Sequence, residues 1–165
     1  MAKQQEDSNE DIDEDCIFCL IANDRDTETD VIKKSKNLVC FRDICPAAPH
    51  HYLVVPKKHI HSCRSLNSKH ISLVEQMIAM GKAVLREQGI TDMKDVRFGF
   101  HKPPFISVGH LHLHVIAPTS KLSEFLAYKF MPGTDSFVTA ECLMKHLRKI
   151  NPPGFLSLGN CLRLF

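Results

Sequence analysis

The segment from His110 to Ile116 constrains the fold more than any other, because it alternates histidine with apolar residues (HLHLHVI). Successive side chains of a β-strand point to opposite faces. The pattern therefore predicts a strand over residues 110–116, with His110, His112 and His114 on one face and the apolar side chains in the core. Neighbouring imidazoles would lie about 6–7 Å apart along such a strand, a spacing that suits the oxygens of a phosphate group.

The chemistry of imidazole favours a catalytic use of this row. A histidine ring is largely neutral near pH 7, so one of its nitrogens can attack phosphorus without a separate base. Protonated neighbours would stabilise negative charge on the phosphate oxygens. Two alternatives stay open from the residues alone: three polar side chains without chemistry, and a metal ion bound by His112 and His114.

Other periodic segments predict the rest of the fold. Runs of β-branched and aromatic residues predict strands over 37–41, 52–55 and 96–101, and apolar residues at helical spacing predict helices over 68–88 and 136–150. This order is typical of an α+β domain, with a roughly five-stranded antiparallel sheet and two main helices on one side. The free edges of such a sheet favour a homodimer or a larger homo-oligomer.

The ends of the chain differ from its middle. Residues 1–15 hold seven acids and one lysine, which predicts a disordered acidic tail before a domain over 16–150. After residue 15 there are 20 basic and 12 acidic residues, a net formal charge of +8 that suits a phosphate-bearing ligand. Residues 151–165 are apolar without a clear period, and we predict a C-terminal tail there without assigning it a role.

Cysteine usage and the lack of targeting patterns predict the compartment. The chain has seven cysteines, no signal-peptide pattern and no apolar run of transmembrane length. We therefore expect a reducing compartment with thiols that are free or on a metal, which means the cytoplasm with access to the nucleus, and no membrane partner.

Four segments together resemble the histidine-triad superfamily, and most closely its Hint branch. They are CIFC at 16–19, FRDI at 41–44, PHHYLVVPKKHI at 49–60 and the three histidines themselves. The long C-terminal part resembles aprataxin. The resemblance covers about residues 16–150 and implies the histidine-triad fold, with a purine nucleotide of the AMP type as substrate.

The resemblance implies five catalytic residues. His112, the middle histidine, would be the nucleophile that carries the nucleotide, while His114 would contact the phosphate and His110 would line the same pocket. His51 would support the triad from the neighbouring strand. Ser107 would donate a hydrogen bond to the leaving group.

The resemblance also implies a nucleotide-binding set. Asp43 would hold the ribose hydroxyls, and Ile44 and Phe18 would face the base with Leu53 beside them. From the residues alone, Asp43 could equally be a turn former, and Phe18 and Ile44 could be core residues. Many relatives carry an amide side chain before Ser107 and another on the preceding strand. This chain has Ile106 and Gly99 there, so His101 and Lys102 are the local replacements for phosphate contacts.

A second site is suggested by the pair Cys16 and Cys19, whose spacing is half of a zinc site. Two buried thiols without metal are the alternative. Some relatives complete the set with two histidines, which here are His59 and His110. The resemblance thus implies a possible structural zinc, with no cofactor required for the chemistry itself.

These features predict an enzyme that hydrolyses AMP-amides and aminoacyl-adenylates through a nucleotidyl-histidine intermediate. One alternative is hydrolysis of dinucleoside polyphosphates, or removal of AMP from nucleic-acid ends as in aprataxin. The other is a catalytically weak nucleotide-binding scaffold. Nucleic acid is not an expected partner, because the sequence lacks the added zinc finger with which aprataxin engages DNA.

Overall fold

The computed structural model describes residues 12–149. Its helices are α1 (Ile17–Ala22), α2 (Ile71–Glu87) and α3 (Ala140–Lys149), and its strands are β1 (Val31–Lys34), β2 (Leu38–Arg42), β3 (His50–Pro56), β4 (Arg97–His101), β5 (Leu113–Ala117) and β6 (Phe137–Thr139). The predicted acidic tail up to residue 11 and the predicted tail over 151–165 lie outside the described residues. Residues 12–15 belong to the folded part, because the Asp13 carbonyl accepts the Cys16 N–H at 3.1 Å and Ile12 packs against the core beside α1.

One antiparallel sheet of six strands organises the fold, in the order β1-β2-β3-β5-β4-β6. The α+β class and the antiparallel sheet are confirmed. The sheet has two strands that the sequence did not predict, β1, which pairs with β2, and β6. β6 forms because residues 137–139 pair with β4 instead of starting the last helix. Phe137 and Val138 are good strand formers, and their pairing partner lies almost forty residues away in sequence, beyond the reach of a local pattern.

The strand predicted over residues 110–116 begins later, at Leu113. Of the three histidines only His114 lies in it, opposite Leu53 of β3 and Gly99 of β4. The chain before Leu113 is held differently, since the Leu111 N–H donates to the Ile60 carbonyl at 2.6 Å. The prediction that all three histidines share one strand face is therefore wrong.

The two faces of the sheet carry different structures. Helices α2 and α3 cover one face, where Val74, Met77 and Leu143 pack with Leu113 and Val115. α2 lies close to the sheet because residue 81 is glycine: a Cβ there would lie 2.7 Å from the Val115 side chain. The other face carries α1 and stays partly open, and it is there that the histidines meet a cavity.

Two further expectations can be compared with the structure. No helix among residues 12–149 is long and apolar enough to cross a membrane. Five cysteines among the described residues are free thiols: Cys16, Cys19, Cys40, Cys45 and Cys63.

Candidate active site

A cavity of about 510 Å³ lies on the open face of the sheet. It brings together eight of the predicted site residues: Phe18, Asp43, Ile44, Leu53, His101, Ser107, His112 and His114. His51 lies behind His114, while His110 does not line the cavity. A larger cavity of about 860 Å³, between α2, α3 and β4, has no histidine, cysteine or serine in its wall. The smaller cavity is therefore the candidate active site.

One end of the cavity is apolar and suits a nucleobase. Phe18 of α1 packs edge-on against Phe41, with ring centroids 5.4 Å apart, and Leu53 is buried beside them. Ile44 is 96 % exposed at the rim, so the alternative that it is a core residue is wrong. Phe18 is 8 % exposed and contributes to both the core and the cavity wall.

Asp43 stands between the apolar end and the histidines. Its Oδ1 accepts the Cys45 N–H at 2.8 Å, which is the turn-forming bond that the sequence left open. Its Oδ2 lies 3.3 Å from His51 Nε2. The carboxylate is thus fixed at the cavity wall, where it can accept hydrogen bonds from ligand hydroxyls.

A chain of hydrogen bonds sets the protonation of His51 and His114. The Ala47 N–H donates to His51 Nδ1 at 2.9 Å, so the proton of the neutral His51 ring is on Nε2. That Nε2 lies 2.9 Å from His114 Nδ1 and donates to it. His114 therefore carries its own proton on Nε2, which is buried and has no hydrogen-bond partner among the described residues.

Burial keeps these two rings neutral. It lowers the pKa of His51 to about 4, although the charge of Asp43 acts in the opposite direction. Burial, followed by the charges of His112, His101 and His51, holds the pKa of His114 well below its ordinary value. Near pH 7 the His114 Nε2–H is therefore a neutral donor that lacks an acceptor, and a phosphate oxygen in the cavity would supply one.

His112 has the opposite arrangement. Its Nδ1 lies 2.7 Å from the His110 carbonyl oxygen, which can only accept, so the ring proton is on Nδ1. Burial lowers the pKa of His112, which leaves Nε2 with a free lone pair at neutral pH. The rings of His112 and His114 lie 5.0 Å apart. The cavity thus places an unprotonated nitrogen beside an unused N–H donor.

His110 belongs to a different cluster. Its Nδ1 lies 3.3 Å from the Sγ atoms of both Cys16 and Cys19, and His59 Nδ1 lies 3.1 Å from Cys19 Sγ. The prediction that His110 lines the nucleotide pocket is wrong, because its ring turns towards the cysteines. All four predicted zinc ligands are brought together, with their ligand atoms within 4.8 Å of one another.

The sequence did not predict the wall of the cavity that lies opposite α1. Leu126, Lys129 and Phe130 line the cavity from the segment after β5, which has neither helical nor strand periodicity. The Phe130 ring lies 5.1–5.2 Å from the rings of His51, His101 and His114. These contacts join parts of the chain that are far apart in sequence, so no local sequence pattern predicts that this segment lines the cavity.

Phe130 is expected to be important for stability as well as for the shape of the site. It is 5 % exposed, so Phe130→Ala should lower the free energy of unfolding by about 3–4 kcal/mol through the cavity it leaves. Urea unfolding monitored by circular dichroism would measure this loss. Phe125 is 87 % exposed on the same segment, and Phe125→Ala is the matched control with an expected loss below about 0.5 kcal/mol. Equal losses in the two variants would contradict the packing role.

The chain is similar to several known proteins. The family described as "Scavenger mRNA decapping enzyme C-term binding" matches residues 15–127. The protein named "Adenosine 5'-monophosphoramidase HINT3" from Danio rerio is 49% identical over 144 residues, which are 86% of this chain and 90% of that protein. An aprataxin from Ciona intestinalis is more distant, at 30% identity over 71% of this chain and 31% of its own length.

A solved structure shares the fold. The histidine-triad protein from Clostridium difficile superposes with a TM-score of 0.58 at 31% sequence identity, and the match covers 63% of this chain and 90% of that one.

Proposed function

Because this chain belongs to the histidine-triad superfamily, in its Hint branch, we propose that it is an adenosine 5'-monophosphoramidase. It would hydrolyse AMP-amides and aminoacyl-adenylates. One observation carries this proposal: the free lone pair of His112 Nε2 and the unpartnered His114 Nε2–H are present together in a cavity with an apolar end. A nucleophile next to a donor without an acceptor is what nucleotidyl transfer to histidine requires.

The first step follows from these protonation states. His112 Nε2 attacks phosphorus, a phosphorus–nitrogen bond to the ring forms, and the bond to the leaving amine breaks. The departing nitrogen takes a proton from the hydroxyl of Ser107, which lines the cavity. Solvent then returns a proton to that hydroxyl. The His114 Nε2–H donates to a non-bridging oxygen, while the His110 carbonyl accepts the Nδ1 proton of the charged ring.

The second step regenerates the enzyme. Water attacks phosphorus, the bond to His112 Nε2 breaks, and AMP leaves with release of one proton. The same machinery would cleave acyl-adenylates, because only the leaving group differs. The similarity to aprataxin suggests one further substrate, which is AMP attached to nucleic-acid ends.

A direct comparison of leaving groups tests the proposed function. We expect kcat/KM for an AMP-amide to exceed that for diadenosine polyphosphate and for 5'-adenylated DNA by about tenfold or more, a difference of about 1.4 kcal/mol in transition-state binding. Faster turnover of adenylated DNA would assign the aprataxin-like activity instead. Tight AMP binding with no turnover of any of the three would indicate a scaffold.

We also propose a structural zinc ion held by Cys16, Cys19, His59 and His110. The donor set of two thiols and two imidazole nitrogens fits zinc. Three of the sulfur–nitrogen separations are 3.1–3.3 Å and all four ligand atoms lie within 4.8 Å of one another, where the ligands of a tetrahedral zinc lie about 3.3–3.8 Å apart. The His110 Nε2–H donates to the Pro56 carbonyl at 2.9 Å, which leaves Nδ1 to face the cysteines. When bound, zinc would tie α1 to the loop before β5.

Metal analysis tests the zinc site. We expect about one zinc ion per chain in the purified protein, and loss of zinc together with a lower melting temperature in Cys19→Ser. Cys45 is an exposed free thiol, so Cys45→Ser is the control and should keep its zinc. A wild-type protein that contains no zinc after expression in zinc-supplemented medium would contradict the site.

The assembly and the compartment are further parts of the proposal. We propose a homodimer whose contact avoids the β4 edge, because β6 of the same chain already pairs with it. Light scattering after gel filtration would measure the mass, and a monomer at micromolar concentration would contradict the dimer.

We propose the cytoplasm, with entry into the nucleus, as the location, and fractionation of cells would test it.

A further inference from the structure

The segment that closes the candidate active site carries a lysine at the cavity wall. Lys129 lies in the turn Ala127–Phe130 and lines the same cavity as Asp43, His112 and His114. The sequence pattern gave it no role, and the mechanism above does not use it. Its position next to the reacting histidines raises the question of what its ammonium group contacts when a nucleotide is bound.

The backbone of Lys129 is held firmly beside the histidines. His101 Nε2 donates to the Lys129 carbonyl at 2.8 Å, and the Arg97 guanidinium donates to the Phe130 carbonyl at 3.0 Å. The His101 ring in turn lies 4.7 Å from that of His114. A lysine side chain extends about 6 Å from Cα to Nζ, so from this anchor the ammonium can reach the space in front of His114.

Electrostatics agree with this placement. Burial is the largest cause that lowers the pKa of His101, and the positive charge of Lys129 acts in the same direction. Among residues 12–149, no carboxylate forms an ion pair with Lys129. The ammonium therefore has its charge available to a ligand.

Few other side chains of the cavity could balance a phosphate. The histidines around it are neutral near pH 7 because they are buried, so they offer hydrogen bonds without a full charge. Arg42 is the other cationic side chain in the wall, and its guanidinium lies over the Tyr52 ring at 5.3 Å from the centroid. Lys129 is thus the cation in the wall that remains for the phosphate.

We propose that the Lys129 ammonium binds a non-bridging oxygen of the substrate phosphate and neutralises the charge that develops there when His112 attacks. This inference rests on the proposed function, because it concerns the same nucleotide. It makes Lys129 a catalytic residue of the phosphate subsite, contributed by the segment after β5. The nucleoside end of the ligand, bound by Phe18 and Asp43, would not touch it.

Binding of AMP and of adenosine by titration calorimetry separates the phosphate contact from the nucleoside contact. In Lys129→Met we expect the affinity for AMP to fall about tenfold or more, the loss typical of a charged hydrogen bond, while adenosine binds as to the wild type. Lys129→Arg keeps the charge and should stay within about threefold of the wild type for AMP. Lys121→Met, on the same segment but outside the cavity wall, is the control and should bind both ligands normally.

Each contrary result has a distinct meaning. An AMP affinity of Lys129→Met within twofold of the wild type would overturn the inference and leave the proposed function intact. Equal losses for AMP and adenosine would also overturn it, since Lys129 would then contact the nucleoside. A wild-type protein that binds neither ligand would overturn the proposed function and the inference together.

Discussion

Substitution of His112 by alanine is expected to slow the turnover of an AMP-amide by at least about a thousandfold, because removal of a catalytic nucleophile commonly costs that much or more. The substitution removes the lone pair of Nε2, which is the atom that would bond to phosphorus. AMP should still bind within about threefold of the wild-type affinity, since the apolar end, Asp43 and His114 remain in place. Steady-state kinetics and calorimetry on the two proteins measure both quantities.

The covalent step can be observed directly. Rapid acid-free quenching of the wild type with substrate, followed by mass spectrometry of peptides, should place an AMP adduct on His112 and on no other histidine. His61 is an exposed histidine outside the cavity, and His61→Ala is the matched control that should keep normal turnover. A His112→Ala variant that retains more than a tenth of wild-type activity would refute the nucleotidyl-histidine mechanism.

Acidification is expected to destabilise the protein through its buried neutral histidines. The pKa of His51 falls from 6.5 to about 4 on folding. The unfolded chain therefore binds a proton between these values that the folded protein excludes. Stability is fully present above pH 6.5, declines as the pH falls, and levels off below pH 4. Between pH 7 and pH 5, His51 alone should remove about 2 kcal/mol from the free energy of unfolding.

Urea unfolding at pH 7 and pH 5 measures this effect. His51→Asn keeps an acceptor for the Ala47 N–H but cannot be protonated, so its loss of stability over this interval should be smaller than that of the wild type by about 2 kcal/mol. His61→Asn, at an exposed position, should show the wild-type loss. An equal loss in His51→Asn and the wild type would show that His51 does not impose the proton penalty.

Local sequence patterns predicted the helices and strands that form because of residues close together in the chain. The apolar positions of residues 68–88 predicted α2, which spans Ile71–Glu87 after a short turn capped by Asn67. The α+β class and the antiparallel sheet followed from the order of such elements. The residue types of the triad indicated phosphate chemistry, because alternate imidazoles in an apolar segment need a polar ligand.

Tertiary contacts decided what these patterns could not. The ring of His110 lies against the Cys16–Cys19 pair, so only two of the three triad histidines, His112 and His114, line the cavity. β6 forms because β4 offers it an open edge.

The tertiary structure also decides which ring nitrogen of each histidine carries the proton. The proton of His112 is set by the His110 carbonyl, and that of His114 by His51, whose own proton is set by Ala47. The sequence by itself thus determined which chemical groups are available and on which elements most of them lie. The fold decided which nitrogens are free, which charged side chains line the cavity and what closes it, since these depend on contacts between residues that are far apart in the chain.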